Sequence, residues 1–288
     1  MQEPFWIFAS ASVIGNSHIL ENIPCQDFCK IENNKEFSIA VVCDGAGSCS
    51  NSQIGSKQVA EFSINYFEKL IRRNNWHTNL DLPLDDIWHS EAKKTLRLIK
   101  EDLEKYSLNY DLDFKSLSCT VIIKIALPNG LLVTHIGDGR AGYCNMENEW
   151  KSSITPFHGE LANQTVFITS EIWNEEIIDT YIKSNVIRET VNAFCLMSDG
   201  CEKASFECNL FDQESETYFD PNKPYPLFFN PIVQTLINLK EQNQTQEEIN
   251  TLWENFLTHG NERLKIEPDD KTMILAARIK NNIDNSNE

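Results

Sequence analysis

The chain has 288 residues, 41% of them apolar and 10% aromatic, and carries a formal net charge of −18 from 43 acidic and 25 basic side chains. Its length suits one large domain or two small ones, and is ample for a sizeable core. The acidic balance excludes a general basic surface for nucleic acid or anionic membrane.

No apolar run reaches the roughly 18 residues of a membrane span. The start, Met1-Gln2-Glu3-Pro4, lacks the basic region of a signal peptide, so a cytoplasmic location is expected. The nine cysteines form no Cys-x-x-Cys pair, and several lie inside apolar runs. They read as free thiols rather than a disulfide framework or a zinc site.

In chain order, residues 5–13 read as a strand and Gly15-Asn16-Ser17-His18 as a turn. The stretch from Asn22 to Cys29 leads into a second strand. After the Asn33-Asn34-Lys35 turn, an apolar run from Phe37 to Val42 reads as a buried strand ending in Asp44-Gly45-Ala46-Gly47. Val59, Phe62, Tyr66 and Leu70 place one apolar stripe on a helix. Ala92, Leu96, Ile99, Leu103 and Tyr106 do the same on a second helix that opens near Pro83 and Asp85.

From Leu117 the period shortens. Residues 118–126 and 131–136 read as strands joined at Pro128-Asn129-Gly130, and a further strand follows Gly137-Asp138-Gly139-Arg140. Val166 to Thr169 reads as a short strand, and 171–187 gives no clear pattern. Ala193 to Met197 is a strand ending in Ser198-Asp199-Gly200. Residues 203–228 look like a loop. Helical patterns run from Ile232 to Leu239 and from Glu247 to Leu257. Asp269-Asp270-Lys271-Thr272 opens a last strand, Met273 to Ala277. No repeat or linker interrupts the chain, so one domain is expected over 1–280, with a polar tail at 281–288.

Three strands thus end in aspartate beside glycine (Asp44, Asp138, Asp199), and a fourth begins after Asp269-Asp270. In an antiparallel sheet, strands that begin at one edge lie beside strands that end there. The carboxylates can therefore meet at one end of the fold. Packed together they would repel and raise one another's pKa. A bound hard cation removes that penalty, and all-oxygen ligation points to Mg²⁺ or Mn²⁺.

The ordered motifs Cys25-Gln26-Asp27, Asp44-Gly45-Ala46-Gly47, Ser118-Cys119-Thr120, Gly137-Asp138-Gly139-Arg140, Ser198-Asp199-Gly200 and Asp269-Asp270-Lys271-Thr272 resemble those of the metal-dependent serine/threonine protein phosphatases of type 2C. The resemblance runs from residue 5 to about 279. Gly15-x-x-His18 followed by Pro24-Cys25-Gln26-Asp27 is similar to a bacterial branch.

The resemblance implies an α+β fold, a four-layer αββα sandwich of two antiparallel sheets flanked by helices. It also implies two Mg²⁺ or Mn²⁺ ions, with a third in many members. Asp44 would bridge the pair, the Gly45 carbonyl would ligate one ion, and Asp199 and Asp269 the other. Asp27 would act through water, and Asp138 with Asp199 would match the third site. The implied reaction is hydrolysis of phosphomonoesters by a metal-bridging water. The implied partner is a phosphorylated protein, a serine/threonine kinase or its target.

Three departures stand out. Asn22 occupies the place of the usual phosphate-binding Arg, which leaves His18 as the nearest substitute phosphate contact. Gly139 replaces the usual Ser. Asp270 stands where Asn is common, in a place to orient its neighbour. Arg140 is expected to pair with a carboxylate rather than to clamp substrate. The competing readings are a catalytically inactive binding or sensing module, which usually lacks one or more of these ligands, and a hydrolase of small phosphorylated metabolites.

Overall fold

The computed structural model describes residues 5–78, 81–157, 165–213 and 215–279; the tail expected at 281–288 lies outside them. Two five-stranded antiparallel sheets face one another. The first runs β1 (Trp6–Val13), β14 (Lys271–Arg278), β9 (Val191–Met197), β6 (Arg140–Asn145), β7 (Trp150–Ser152). The second runs β2 (Phe28–Asn33), β3 (Ser38–Cys43), β4 (Val121–Leu127), β5 (Gly130–Ile136), β8 (Lys183–Ile187).

The period-2 pattern of the inner strands explains why both faces of each sheet are covered. On β3, Ile39, Val41 and Cys43 enter one cluster with the helices α2 (Ser52–Arg73) and α3 (Asp85–Asn109), while Ala40 and Val42 turn to the opposite sheet. On β9 and β14, Cys195, Met197, Met273 and Leu275 pack with the helices α6 (Pro226–Glu241) and α7 (Gln246–His259), while Phe194, Leu196, Ile274 and Ala276 enter the inter-sheet core. A strand apolar on both faces requires such a double covering. The result is the expected αββα sandwich.

A lysine lies in the inter-sheet layer. Lys124 of β4 is fully buried, and its amino group donates to the carbonyls of Gly142 (2.8 Å) and Cys195 (3.1 Å) on the other sheet. It also lies over the Phe194 ring.

Local differences from the sequence reading have physical causes. The expected turn at Gly15–His18 is instead a short helix, α1 (Asn16–Glu21), with no buried residue and hence no apolar stripe to read. It closes on Asn22, whose φ of 56° is the left-handed conformation that Asn tolerates at a helix end. The α2 stripe is rotated from the expected one. Phe67 and Ile71 are buried beside Val59 and Leu70, while Phe62 and Tyr66 sit at its margin.

Val166 to Thr169 is not a strand; its Ile168 N–H donates to the Cys119 carbonyl from an irregular segment. The unassigned stretch holds α4 (Ile178–Tyr181) and β8. The presumed loop after 203 carries α5 (Glu202–Ser205) and two small ladders. These pair β10 (Phe206–Glu207) with β13 (Lys223–Pro224), and β11 (Leu210–Asp212) with β12 (Thr217–Phe219). A further short helix, α8 (Glu262–Ile266), leads to the last strand. All nine cysteines are free thiols.

Candidate metal centre

The register brings the acidic motifs to one end of the sandwich. Met197, at the end of β9, pairs with Met273 near the start of β14 and with Arg140 at the start of β6. Asp199, Asp269 and Asp138 therefore flank the same edge of the first sheet. In the second sheet, Phe28 at the start of β2 pairs with Cys43 at the end of β3. Asp27 and Asp44 lie just beyond. Gly137-Asp138-Gly139 forms the crossing from β5 in one sheet to β6 in the other.

Backbone contacts fix these corners. Thr120 N–H donates to the Asp44 carbonyl (2.8 Å), and Asp44 N–H to the Thr120 hydroxyl (3.2 Å). Gly45 pairs with Cys119 in an isolated bridge, and a Cβ at Gly45 would stand 2.5 Å from the Gln26 carbonyl oxygen. Only glycine lets those two segments approach so closely. The Ser198 hydroxyl donates to Asp27 (2.7 Å) and accepts from the Thr272 N–H (3.0 Å), tying the two sheets together across the cluster.

The carboxylates act on one another. Burial first, then the charges of Asp27, Asp199, Asp138 and Asp269, hold the Asp44 carboxyl well above the usual carboxylate range. Burial, then Asp138, Asp269 and Asp27, push Asp199 up to about 8. Burial raises Asp27 to about 7 against the opposing Ser198 hydrogen bond, with Asp270 adding to the rise. Asp27 is buried, Asp44, Asp138 and Asp199 are half-buried, and Asp269 is exposed. The cluster thus runs from a buried base at Asp27 to an exposed rim at Asp269.

Its donor chemistry suits a hard divalent cation: oxygen ligands, concentrated negative charge, and carboxylates whose mutual repulsion a cation would remove. The amide oxygen of Gln26, buried beside Asp27, has no hydrogen-bond partner among the described residues. Among those residues no group of three or more His, Cys, Asp or Glu side chains stands ready-made around one point as a metal cage.

Asp270 has a separate task that the sequence reading only touched on. Its buried carboxylate accepts from Gly15 N–H (2.7 Å), Gln26 N–H (2.6 Å) and His18 Nδ1 (2.9 Å). It therefore clamps both ends of the 15–26 segment, and the His18 ring, to the start of β14. No local pattern signals this role, because the partners lie more than 240 positions away in the chain. Asn22, in the place of the usual Arg, is exposed and serves as the end of α1. Arg140 is fully buried and pairs with Glu202 (2.8 Å) and Asp220 (2.8 Å), as expected of a structural cation.

A family model described as Protein phosphatase 2C matches residues 14–253. The chain belongs to the protein phosphatase 2C family. Members of this family are metal-dependent protein phosphatases, and the chain is accordingly a serine/threonine protein phosphatase.

The chain is 29% identical over 285 residues to serine/threonine-protein phosphatase 3 of Escherichia coli (strain K12), covering 94% of this chain and 98% of that protein. Among solved structures, a bacterial serine phosphatase shares the fold with a TM-score of 0.57 at 14% identity, over 97% of this chain and all of that one. PppA, described as a key regulatory component of the T6SS in Pseudomonas aeruginosa, does so with a TM-score of 0.52 at 15% identity, over 96% of this chain and 99% of that one. The family match stops before Asp269. What carries Asp269 to the cluster is the place of β14 between β1 and β9.

Proposed function

We propose that this phosphatase works through two divalent ions, Mg²⁺ or Mn²⁺, held by Asp44, the Gly45 carbonyl, Asp199 and Asp269. Asp27 acts through water, and Asp138 with Asp199 offers a third position. The observation that carries the reading is the strand register that brings Asp27, Asp44, Asp138, Asp199 and Asp269 to one end of the sandwich, where burial and neighbouring carboxylates hold Asp44, Asp199 and Asp27 high. When bound, the ions supply an activated water and neutralise phosphoryl charge.

The chain's own residues do the rest. Asp44 reaches the cluster from β3 in one sheet, Asp199 and Asp269 from β9 and β14 in the other, so ligation spans both halves of the sandwich. Ser198 holds Asp27 in place through its hydroxyl. Asp270 accepts from His18 Nδ1, which fixes the ring and leaves Nε2 as the atom that meets a phosphate oxygen.

The substrate class is phosphoserine or phosphothreonine in a protein, with a serine/threonine kinase or its target as partner. The free thiols fit a reducing compartment, the cytoplasm. Among the described residues no helix is long and apolar enough to cross a membrane.

The test is phosphate release from a phosphoserine peptide with Mn²⁺ present. Asp44→Asn should lower kcat/KM at least about a hundredfold, and His18→Ala should raise KM about tenfold. Asp44→Asn turning over peptide at the rate of the unaltered chain would refute the ligand assignment.

A further inference from the structure

A groove of about 1090 Å³ opens beside the metal centre, between the segment that follows Asp199 and the segment that precedes Asp269. Its lining includes Phe206, Tyr225, Leu227 and Ile266, with Lys203 and Arg263. Leu227 and Ile266 are each 73% exposed, so apolar surface faces the open groove. Lys203 lies within reach of the Asp199 charge, and Glu267 and Pro268 run directly into Asp269. The groove's rim at Glu267 and Pro268 therefore adjoins Asp269 along the chain. Its volume lies just above the range that small-molecule pockets span, roughly 300–1000 Å³, and suits a stretch of polypeptide.

Charge decides what kind of polypeptide. The groove's acids are each compensated: Glu207 by Lys223 (3.7 Å), Glu262 by Lys265 (2.7 Å) and Glu267 by Lys203 (3.1 Å). Arg263 is different. It is exposed and donates through Nη1 to the Lys203 carbonyl, and it has no ion pair among the described residues. One hydrogen bond to a neutral oxygen anchors the guanidinium while its charge and remaining donors stay open to the groove. In a chain of net charge −18, an uncompensated cation in this groove is where an acidic substrate gains most.

We propose that this groove seats the substrate chain next to its phosphorylated side chain, and that Arg263 selects acidic residues there. The inference rests on the phosphoprotein reading and names the sequence class that the site prefers. The exposed apolar residues supply contact area, and Arg263 supplies the discrimination.

Two phosphoserine peptides test it, one with glutamates on both sides of the phosphoserine and one with glutamines at the same positions. Turnover is measured with Mn²⁺ at low salt. The unaltered chain should favour the glutamate peptide. Arg263→Ala and Arg263→Gln should each lower the ratio of the two kcat/KM values about threefold to fivefold, the size of a partly exposed ion pair. Gln keeps a donor for the Lys203 carbonyl, so its loss of preference separates charge from local packing. Arg263→Lys should retain part of the preference, and high salt should erase it.

A ratio unchanged in both neutral variants overturns the proposal. So does a change of sedimentation coefficient in Arg263→Ala without a change of ratio, which would assign the groove to a second copy of the chain. Fluorescence anisotropy of a labelled, non-phosphorylated glutamate peptide distinguishes the two readings. Arg263-dependent binding without hydrolysis of either peptide would sink the activity and leave the groove standing.

Discussion

Replacing Lys124 by methionine should flatten the dependence of stability on pH above neutrality. The side chain is fully enclosed between the sheets, and burial draws its pKa from 10.5 down to about 7. In the unfolded chain the amine recovers its ordinary value. Between those two values the unfolded state binds a proton that the folded state does not, so stability rises with pH, by about 1.4 kcal/mol per pH unit. It is fully gained above the unfolded value and lost as pH falls towards about 7.

The whole window is worth roughly 5 kcal/mol, comparable to the net stability of many domains. Two features oppose the effect. The carbonyls of Gly142 and Cys195 accept from the ammonium, and the Phe194 ring lies beneath it. The assay is urea unfolding of both proteins in EDTA at intervals from about pH 7.5 to about pH 9.5. Over that range the unaltered chain should gain about 3 kcal/mol relative to Lys124→Met. Parallel curves would refute the reasoning, and would mean that two carbonyls and one ring suffice to keep a buried ammonium charged.

Gly200→Ala should fold and lose activity, because the new Cβ would stand 2.0 Å from the Asp270 carbonyl oxygen and must push Asp199 away from the cluster. A drop of at least about a hundredfold in kcat/KM with p-nitrophenyl phosphate is expected, and wild-type turnover would contradict the placement of Asp199. Arg140→Ala should cost about 3–5 kcal/mol in urea unfolding, since Glu202 and Asp220 would be left without their buried cation. A loss below about 1 kcal/mol would show that both carboxylates find water instead.

What was legible in the sequence was the set of corners. A buried strand followed by Asp-Gly announces itself through hydrophobic pattern and turn chemistry, and Asp44, Asp138 and Asp199 all lie where that pattern placed them. Asp269 was legible by inversion, as a carboxylate opening a strand. The contacts between corners were not. Asp270 reaches Gly15, His18 and Gln26 across nearly the whole chain, and no local signal encodes a partner so distant. Helix α1 has no buried residue to give it a stripe. The ladders between Phe206 and Pro224 are held by Arg140 gripping Glu202 and Asp220, so their form depends on a cation more than 60 positions upstream rather than on alternation of their own.

Calorimetric titration with Mn²⁺ addresses the gathered carboxylates most directly, because it needs no substrate. Two ions should bind per chain with release of protons near neutral pH, given that burial and neighbouring carboxylates hold Asp44 high and Asp199 at about 8. Asp44→Asn should abolish the tighter event. Equal binding by the two proteins, or no heat at all from the unaltered chain, would contradict the account.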